Sequence, residues 1–327
     1  MKKNVILLTA IIIFTFNPVK GEEWLSFDHG HSQTIDSDRY QRVYVDYNRT
    51  VSPPKGSHAE IVNGAYIDWC AIAYSEGTIN MTGGAVGNSV SLYDKSKMTL
   101  SGGSIGLSYT SGSGLTAAYD SSFTMSGGIL ASLGARDNAT IEVSGGTING
   151  NLAVSGNAIA NISNVSVRYR LKVRENAKAS LSSGTIGASI LLSDDSFLSM
   201  SGGSATDKIH LSSNATMNLS GGSFGGIFQI FQNALVYLDG YDFEVNGQAL
   251  SYGDRLSDFG VLTEHNVLYD YYYGTITGTL ADGTSLNNDF WIHTSDVDAT
   301  GDIIIVPEPC SLILISLGTL ILRSRKA

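Results

Sequence analysis

The sequence predicts an all-β chain folded as a parallel β-helix (β-solenoid) of nine or ten 19-residue coils, with N- and C-terminal β caps. Two features of composition favour continuous β structure. The 327 residues include 37 glycines but only 15 % charged residues, and no proline occurs between positions 55 and 306. Because proline cannot donate to a strand ladder, a long stretch without it is compatible with central strands. The third observation is an internal repeat, which determines the architecture.

The repeat is a tetrad of an apolar residue, Ser or Thr, and two glycines, as in Met81-Thr82-Gly83-Gly84. Looser copies extend the series. The first residues of the tetrads are Met81, Leu100, Met125, Val143, Ile162, Leu181, Met200, Leu219 and Leu238. They are 18 or 19 residues apart, except for one step of 25 that indicates an insertion near 108–113. A constant period of this length predicts stacked coils and disfavours the alternative, a β-sandwich of antiparallel hairpins.

Each coil is predicted to contain three short strands and tight corners. Apolar pairs two residues apart, such as Leu171/Val173 and Ile190/Leu192, have the period of a strand with one face inward. Five residues before most tetrads stands Asn or Asp, which tolerates the left-handed conformation. Gly-Gly supplies a second sharp corner. Hydrogen bonds between coils are needed for stability, because one coil buries too little apolar surface to offset its ordering entropy.

The chain divides into five regions. They are a signal peptide at 1–21, an N-terminal cap at 22–56, β-helix repeats at 57–245, a C-terminal β cap at 246–305 and a sorting signal at 306–327. The first cap is expected to contain a strand at 42–45. The second is expected to contain strands at 275–280 and 290–292, with a turn at Asp282-Gly283.

The N-terminus has the layout of a secretory signal peptide. Lys2 and Lys3 precede an apolar run from Val5 to Phe16, and Gly21 ends a segment suited to cleavage. The alternative is a buried first helix, which the acidic and aromatic residues immediately after Gly21 disfavour. The sequence therefore predicts export.

The C-terminus combines a short motif, an apolar run from Cys310 to Leu322 and a basic tail. The motif residues are Val306, Pro307, Glu308 and Pro309, and the basic residues are Arg323, Arg325 and Lys326. This order resembles the PEP-CTERM sorting signal read by exosortases, membrane proteases of Gram-negative bacteria that make exopolysaccharide. The resemblance implies a transmembrane helix with transient membrane contact, cleavage near Pro-Glu-Pro, and a final location at the cell surface or in the extracellular matrix.

Few residues point to chemistry. Carbohydrate-active enzymes with this fold need paired carboxylates or an acidic cluster with a base. The best pair, Asp194-Asp195, is explained by the Asn/Asp turn position, and His29 and His31 lack a further firm metal ligand. Two cysteines cannot form a disulfide framework or a structural zinc site. We therefore expect no catalytic residues, no metal and no cofactor.

One strand departs from the repeat by being basic. Arg170, Lys172 and Arg174 alternate with inward apolar residues, and Lys208 and His210 occupy equivalent outward positions two coils later. On a chain of net charge −10, which excludes nucleic acid as a partner, such a cluster is either a solvated face or a contact for acidic exopolysaccharide. The sequence thus predicts a structural or adhesive surface protein. The alternative is a β-helix polysaccharide lyase or hydrolase.

Overall fold

The computed structural model describes residues 24–28, 30–36, 39–47, 56–108, 113–265, 269–293 and 300–307. These residues form 33 strands and one 3-10 helix, and they contain no α-helix. The all-β prediction is confirmed. None of the described helical residues combines the length and the hydropathy needed to span a membrane.

The strands of the first half are β1 Trp24–Phe27, β2 Ser32–Ile35, β3 Arg39–Val45, β4 His58–Ile61, β5 Tyr66–Ala73, β6 Thr78–Met81, β7 Ala85–Val86, β8 Ser89–Leu92, β9 Lys97–Leu100, β10 Ser104–Ile105, β11 Gly114–Ala117, β12 Ser122–Met125, β13 Ile129–Leu130, β14 Leu133–Ala135, β15 Thr140–Val143, β16 Thr147–Ile148, β17 Leu152–Val154 and β18 Ile159–Ile162. The remaining elements are β19 Val165–Val167, β20 Leu171–Val173, β21 Lys178–Leu181, β22 Gly184–Ile186, β23 Ile190–Leu192, β24 Phe197–Ala205, β25 Ile209–Leu211, β26 Thr216–Phe224, β27 Phe228–Ile230, β28 Leu235–Val245, β29 Gln248–Ala249, the 3-10 helix Leu256–Asp258, β30 Val261–His265, β31 Tyr269–Leu280, β32 Ser285–His293 and β33 Asp302–Val306.

The strands stack in register as three parallel ladders that run along the solenoid. Each coil contributes one strand segment to each ladder, so that Leu152 pairs with Leu171 and Leu171 with Ile190. The solenoid has about 11 coils of ~19 residues. The predicted count of nine or ten is slightly low because strands outside the recognisable repeat also join the ladders.

The additional coils lie at both ends. Strand β1 pairs in parallel with β3, and β2 with β4. At the other end, β32 pairs in parallel with β27 and β33 with β28. Between these, β31 forms antiparallel pairs with β28, β30 and β32. This antiparallel insertion interrupts the 19-residue period, which is why the sequence pattern ends before the coils do.

The expected turn at Asp282-Gly283 connects β31 and β32. Burial opposes ionisation of Asp282, but backbone N–H groups of Thr284 and Gly222 donate to its carboxylate at 2.8 Å and lower its pKa. The carboxylate therefore joins the tip of the antiparallel insertion to the preceding Gly-Gly corner.

The core is a set of inward apolar columns that repeat from coil to coil. Phe123, Phe228 and Phe290 are its largest fully buried side chains. The first residues of all nine tetrads are at most 2 % exposed. In strands such as β9 and β15, exposed residues alternate with buried ones. This alternation confirms the inward and outward assignments drawn from the sequence.

The two glycines of a corner have different roles. A Cβ on Gly102 would lie 2.4 Å from the carbonyl oxygen of Thr82 in the preceding coil, so the first glycine permits close stacking. Gly103 has φ +83°, so the second glycine supplies the left-handed turn. The same division holds at Gly145 and Gly146.

The expected left-handed conformation at the Asn/Asp position is wrong. Positive φ falls one residue earlier, at Asp137 (+59°) and Asp194 (+61°), for example. The Asn and Asp side chains instead form hydrogen-bonded ladders between coils, in which each amide donates to the coil before it. The donors and acceptors are Asn138 to Asp120, Asn157 to Asn138, Asn176 to Asn157, Asn214 to Asp195 and Asn233 to Asn214, at 2.9–3.4 Å.

Candidate functional site

The three predicted basic residues lie on one of the three ladders. Its successive strands are β8, β11, β14, β17, β20, β23, β25 and β27. Lys172 is the outward residue of β20 and is half-buried, between fully buried Leu171 and Val173. Arg170 and Arg174 are exposed and flank this three-residue strand at its two ends. The structure therefore places all three on one outward face.

The face continues toward the C-terminal end of the solenoid. Lys172 is in register with Leu191, followed by His210, Gln229 and Trp291 on successive coils. Lys208 Nζ donates to Gln229 Oε1 at 2.8 Å, and Nδ1 of His210 lies 3.4 Å from the same oxygen. We call this outward column, with Arg170 and Arg174, the C-terminal face.

A shallow concavity of about 300 Å³ lies beside Lys172 on this face. Its lining residues include Arg174, Asp194 and His210, which come from three successive coils, together with Leu191 and Ser212. An arginine, a carboxylate and an imidazole on neighbouring coils are the residue types that a polysaccharide-cleaving β-helix would require. The sequence singles out these residues, but not the concavity.

The carboxylates near the concavity have structural hydrogen bonds. Asp194 accepts from the backbone N–H of Glu175 at 3.1 Å and from Ser193 Oγ at 3.0 Å. Asp195 accepts from Asn214 in the amide ladder at 2.9 Å. These hydrogen bonds tie the Asp194 carboxylate to the corner and the Asp195 carboxylate to the amide ladder.

Acidic groups also moderate the positive charge of the C-terminal face. Asp207 is exposed, and its pKa is lowered first by the hydrogen bond from Ser189 Oγ and further by the positive charges of Lys208 and Arg170. Arg174 is followed directly by Glu175. The face is thus mixed in charge, with the cations at its outward positions.

Aromatic rings extend the C-terminal face to the antiparallel insertion. Phe231 contacts His210 at 4.9 Å and stacks on His293 at 3.8 Å, and Tyr271 contacts His293 at 5.8 Å, all between ring centroids. Burial lowers the pKa of both His210 and His293, so both imidazoles are favoured in the neutral form. The cluster joins β25, β31 and β32 through Phe231, the residue that follows β27.

The structure reveals a second exposed feature that sequence reasoning misses. Six aromatic rings follow one another along five coils at the N-terminal end of the same ladder, with centroid distances of 5.2–6.2 Å. They are Trp24, Tyr44, Tyr47, Tyr74, Tyr93 and Tyr119. We call them the aromatic stripe. The spacing of 19 between Tyr74 and Tyr93 is the only part of it that the repeat pattern signals.

The remaining predicted residues lie partly beyond the described chain. Val306 is the last residue of β33, where it pairs with Asp239, and Pro307 follows it. Glu308 and Pro309 lie outside the described residues, as do the apolar run, Cys310 and the basic tail at Arg323, Arg325 and Lys326. The signal peptide and His29 lie outside them as well.

Within the described part of the chain, we considered Cys70 as a reactive thiol and the acidic, histidine and cysteine side chains as metal ligands. Cys70 is buried, and burial raises the pKa of its thiol against the opposing effect of Arg42. Its thiolate is therefore disfavoured, as expected for a packed side chain. No group of three or more His, Cys, Asp and Glu side chains is arranged to hold a metal ion among the described residues.

Comparison with known proteins adds no relative. No family model matches the chain, and no curated protein or solved structure shows significant similarity to it.

Proposed function

We propose that the chain is an exported structural or adhesive protein of the cell surface or extracellular matrix. The observation that carries the proposal is the long solenoid of about 11 coils, which displays regular outward faces. The signal peptide and the resemblance of the C-terminus to the PEP-CTERM signal support export and trimming by an exosortase-like protease. The β-helix fold is compatible with this role.

The partner proposed for the C-terminal face is an acidic exopolysaccharide. Arg170 and Arg174 are exposed at the two ends of β20, with Lys172 between them. Guanidinium groups pair bidentately with carboxylate or sulfate oxygens. Each exposed pair contributes only ~0.2–1 kcal/mol, so binding depends on several contacts along each solenoid and on many solenoids along each polymer.

The contact is tested by chromatography of the purified chain on immobilised alginate at low salt. We expect retention that weakens as salt is raised, because screening shortens the Debye length from ~10 Å at 0.1 M to ~3 Å at 1 M. Replacing Arg170, Lys172 and Arg174 together by Ser should abolish retention. Retention that is undiminished in this variant would contradict the contact.

A matched control removes the same formal charge elsewhere. Lys95, Lys97 and Lys178 are exposed residues of other coils or ladders, and their joint replacement by Ser should leave alginate retention in place. Equal loss in both triple variants would mean that retention reflects net charge alone, and the specific role of the C-terminal face would be refuted.

Export and trimming are tested by mass spectrometry of the native protein recovered from the cell surface. The proposal expects Glu22 as the first residue and no sequence far beyond Cys310. A surface protein that still ends at Ala327 would contradict processing at the Pro-Glu-Pro motif.

The second candidate is a carbohydrate-active enzyme, which the concavity with Arg174, Asp194 and His210 specifically favours. Its test is release of reducing ends or unsaturated sugars from alginate by the wild type and by Asp194→Asn. Activity that disappears in this variant, with unchanged thermal stability, would replace the structural proposal. The hydrogen bonds that occupy Asp194 are the reason to place this function second.

A further inference from the structure

We infer that the aromatic stripe is a platform for a neutral, extended polysaccharide chain lying along the solenoid axis. This inference deepens the proposed surface function by naming a second ligand class and a separate site. It rests on the continuity of the rings, on their exposure and on the charges beside them.

The rings are held in line by the coil stacking. The backbone N–H of Tyr74 donates to the carbonyl of Val45, and that of Tyr93 to the carbonyl of Ala73, both at 3.0 Å. These residues therefore occupy the same corner on successive coils. Neighbouring coils lie about 4.8 Å apart, and each of the five coils contributes at least one ring, with Tyr44 and Tyr47 on the same coil. An extended glycan presents its sugar rings at a similar period.

Much of the stripe is accessible. Trp24, Tyr47 and Tyr119 are 59 %, 58 % and 51 % exposed, and the other three rings are half-buried. Tyr74 and Tyr93 stack at 5.3 Å, whereas the other contacts are tilted or edge-on. The three exposed rings offer aromatic surface on which the apolar faces of sugar rings can stack.

The charges beside the stripe are of both signs. Glu76, Asp94 and Asp120 follow Tyr74, Tyr93 and Tyr119 within two positions of the chain. The guanidinium of Arg42 lies 5.0 Å from the centre of the Trp24 ring, and exposed Lys95 follows Asp94. The stripe therefore carries no excess of cations that would select a polyanion. Carboxylates accept hydrogen bonds from sugar hydroxyls and repel a polyanion. The local charge is therefore compatible with a polyhydroxylated neutral chain and differs from that of the C-terminal face, whose outward positions carry Arg170, Lys172 and Arg174.

A second copy of the chain is a less suitable occupant. The stripe spans five coils, about 20 Å at the usual strand spacing, and is one ring wide. Such a footprint is much smaller than the ~800 Å² per partner of a stable protein interface. The net charge of −10 also opposes self-association.

The test is affinity electrophoresis of the full chain in gels containing barley β-glucan or hydroxyethyl cellulose, with alginate gels run in parallel. We expect the wild type to be retarded by both neutral polymers. The double variant Tyr47→Ala, Tyr93→Ala should raise the dissociation constant at least tenfold. The pair Tyr47→Phe, Tyr93→Phe keeps the ring faces and should bind within threefold of the wild type.

Matched controls determine whether a loss of binding is specific to the stripe. Tyr241 and Tyr252 are exposed outside the stripe, and their joint change to Ala should leave binding unchanged. If the Tyr47, Tyr93 variant does not fold, Tyr119→Asn replaces it, since Tyr119 is exposed with φ +56° and Asn tolerates that conformation. This variant should weaken glucan binding at least threefold.

Several results would overturn the inference. They are absence of retardation of the wild type by both neutral polymers, unchanged binding by the stripe variants, equal losses in the Phe and Ala pairs, and loss of a wild-type dimer in sedimentation when the stripe is changed. The triple Ser variant of Arg170, Lys172 and Arg174 should keep its affinity for neutral polymers. Failure of the acidic contact and failure of the stripe are therefore distinguishable.

Discussion

Three buried serines provide a direct test of how the coils are packed. Ser96, Ser121 and Ser196 occupy the inward position just before the first strand of a coil and are at most 1 % exposed. Within the described part of the chain, none of their hydroxyl oxygens has a hydrogen-bond partner. The same position in other coils is filled by Ala139, Ala158, Ala177, Ala215 and Ala234, all fully buried.

Replacing the three serines by Ala should stabilise the protein. Burial of an unpaired hydroxyl costs ~1–3 kcal/mol in mutational data. Alanine removes this cost, but it also loses the packing contacts of the oxygen, so the net gain in stability is smaller. We expect about 1 kcal/mol for each site. Ser196 is four coils from Ser121 and should add independently, whereas Ser96 and Ser121 are on adjacent coils and can couple. The triple variant should therefore gain about 2–3 kcal/mol.

The measurement is equilibrium unfolding in urea at 25 °C, where the midpoint should rise and the slope should stay constant. Ser189→Ala is the matched control, because Ser189 is also buried but its Oγ donates to Asp207 at 2.7 Å. This variant should lose about 1 kcal/mol. A triple variant no more stable than the wild type would refute the assignment of these hydroxyls as unpaired.

The other predictions concern a core column, a ladder and a histidine. Leu152→Asp should lower the free energy of unfolding by several kcal/mol, because it buries a charge in the core. Ala153→Asp, on the outward side of the same strand, should lower it by less than ~0.5 kcal/mol. Equal melting temperatures of the two variants would contradict the inward and outward assignment. Asp195→Asn should supply the donor that Asn176 lacks from the next coil and stabilise by about 1 kcal/mol, and a lower urea midpoint would contradict this. His293→Phe should reduce the loss of stability between pH 7 and 5, measured by thermal melts at each pH. Burial and then His210 lower the pKa of His293, so the stability contributed by its neutral form is lost as the pH falls below the unfolded value of ~6.5. An unchanged slope would contradict this role.

The repeating part of the fold could be predicted because one chemical constraint acts in every coil. Inward positions such as Leu171 and Leu192 must be apolar at a spacing of two, and close stacking requires glycine at positions such as Gly102. The period therefore identifies both the strand faces and the corners. The terminal coils escape the same reasoning, because β1 and β33 join the ladders and contribute Phe27, Ile303 and Ile305 to the core without a Gly-Gly tetrad.

The corner conformation could not be predicted from residue type alone. Asn and Asp suit either a left-handed backbone or a side-chain ladder, and the sequence does not distinguish the two uses. In the structure, Asn138 and Asn157 contribute side chains to the ladder, while the preceding residues Asp137 and Gly156 have positive φ. The ladder explains why amides persist at this position: each amide both donates and accepts, which a carboxylate cannot do.

The C-terminal face and the aromatic stripe differ in how far the repeat pattern of the sequence predicts them. Outward side chains are not constrained by the core, so an unusual residue at an outward position stands out against the period, as Lys172 does. The aromatic stripe is hidden for the opposite reason. Trp24 and Tyr44 lie in coils without a tetrad, and Tyr119 is displaced by one position because it follows Ala118 at the corner. Only the stacking of coils brings these rings into one line. In a solenoid of this kind, a surface that spans several coils is therefore established by strand register, and the sequence reveals it only where its residues also keep the period.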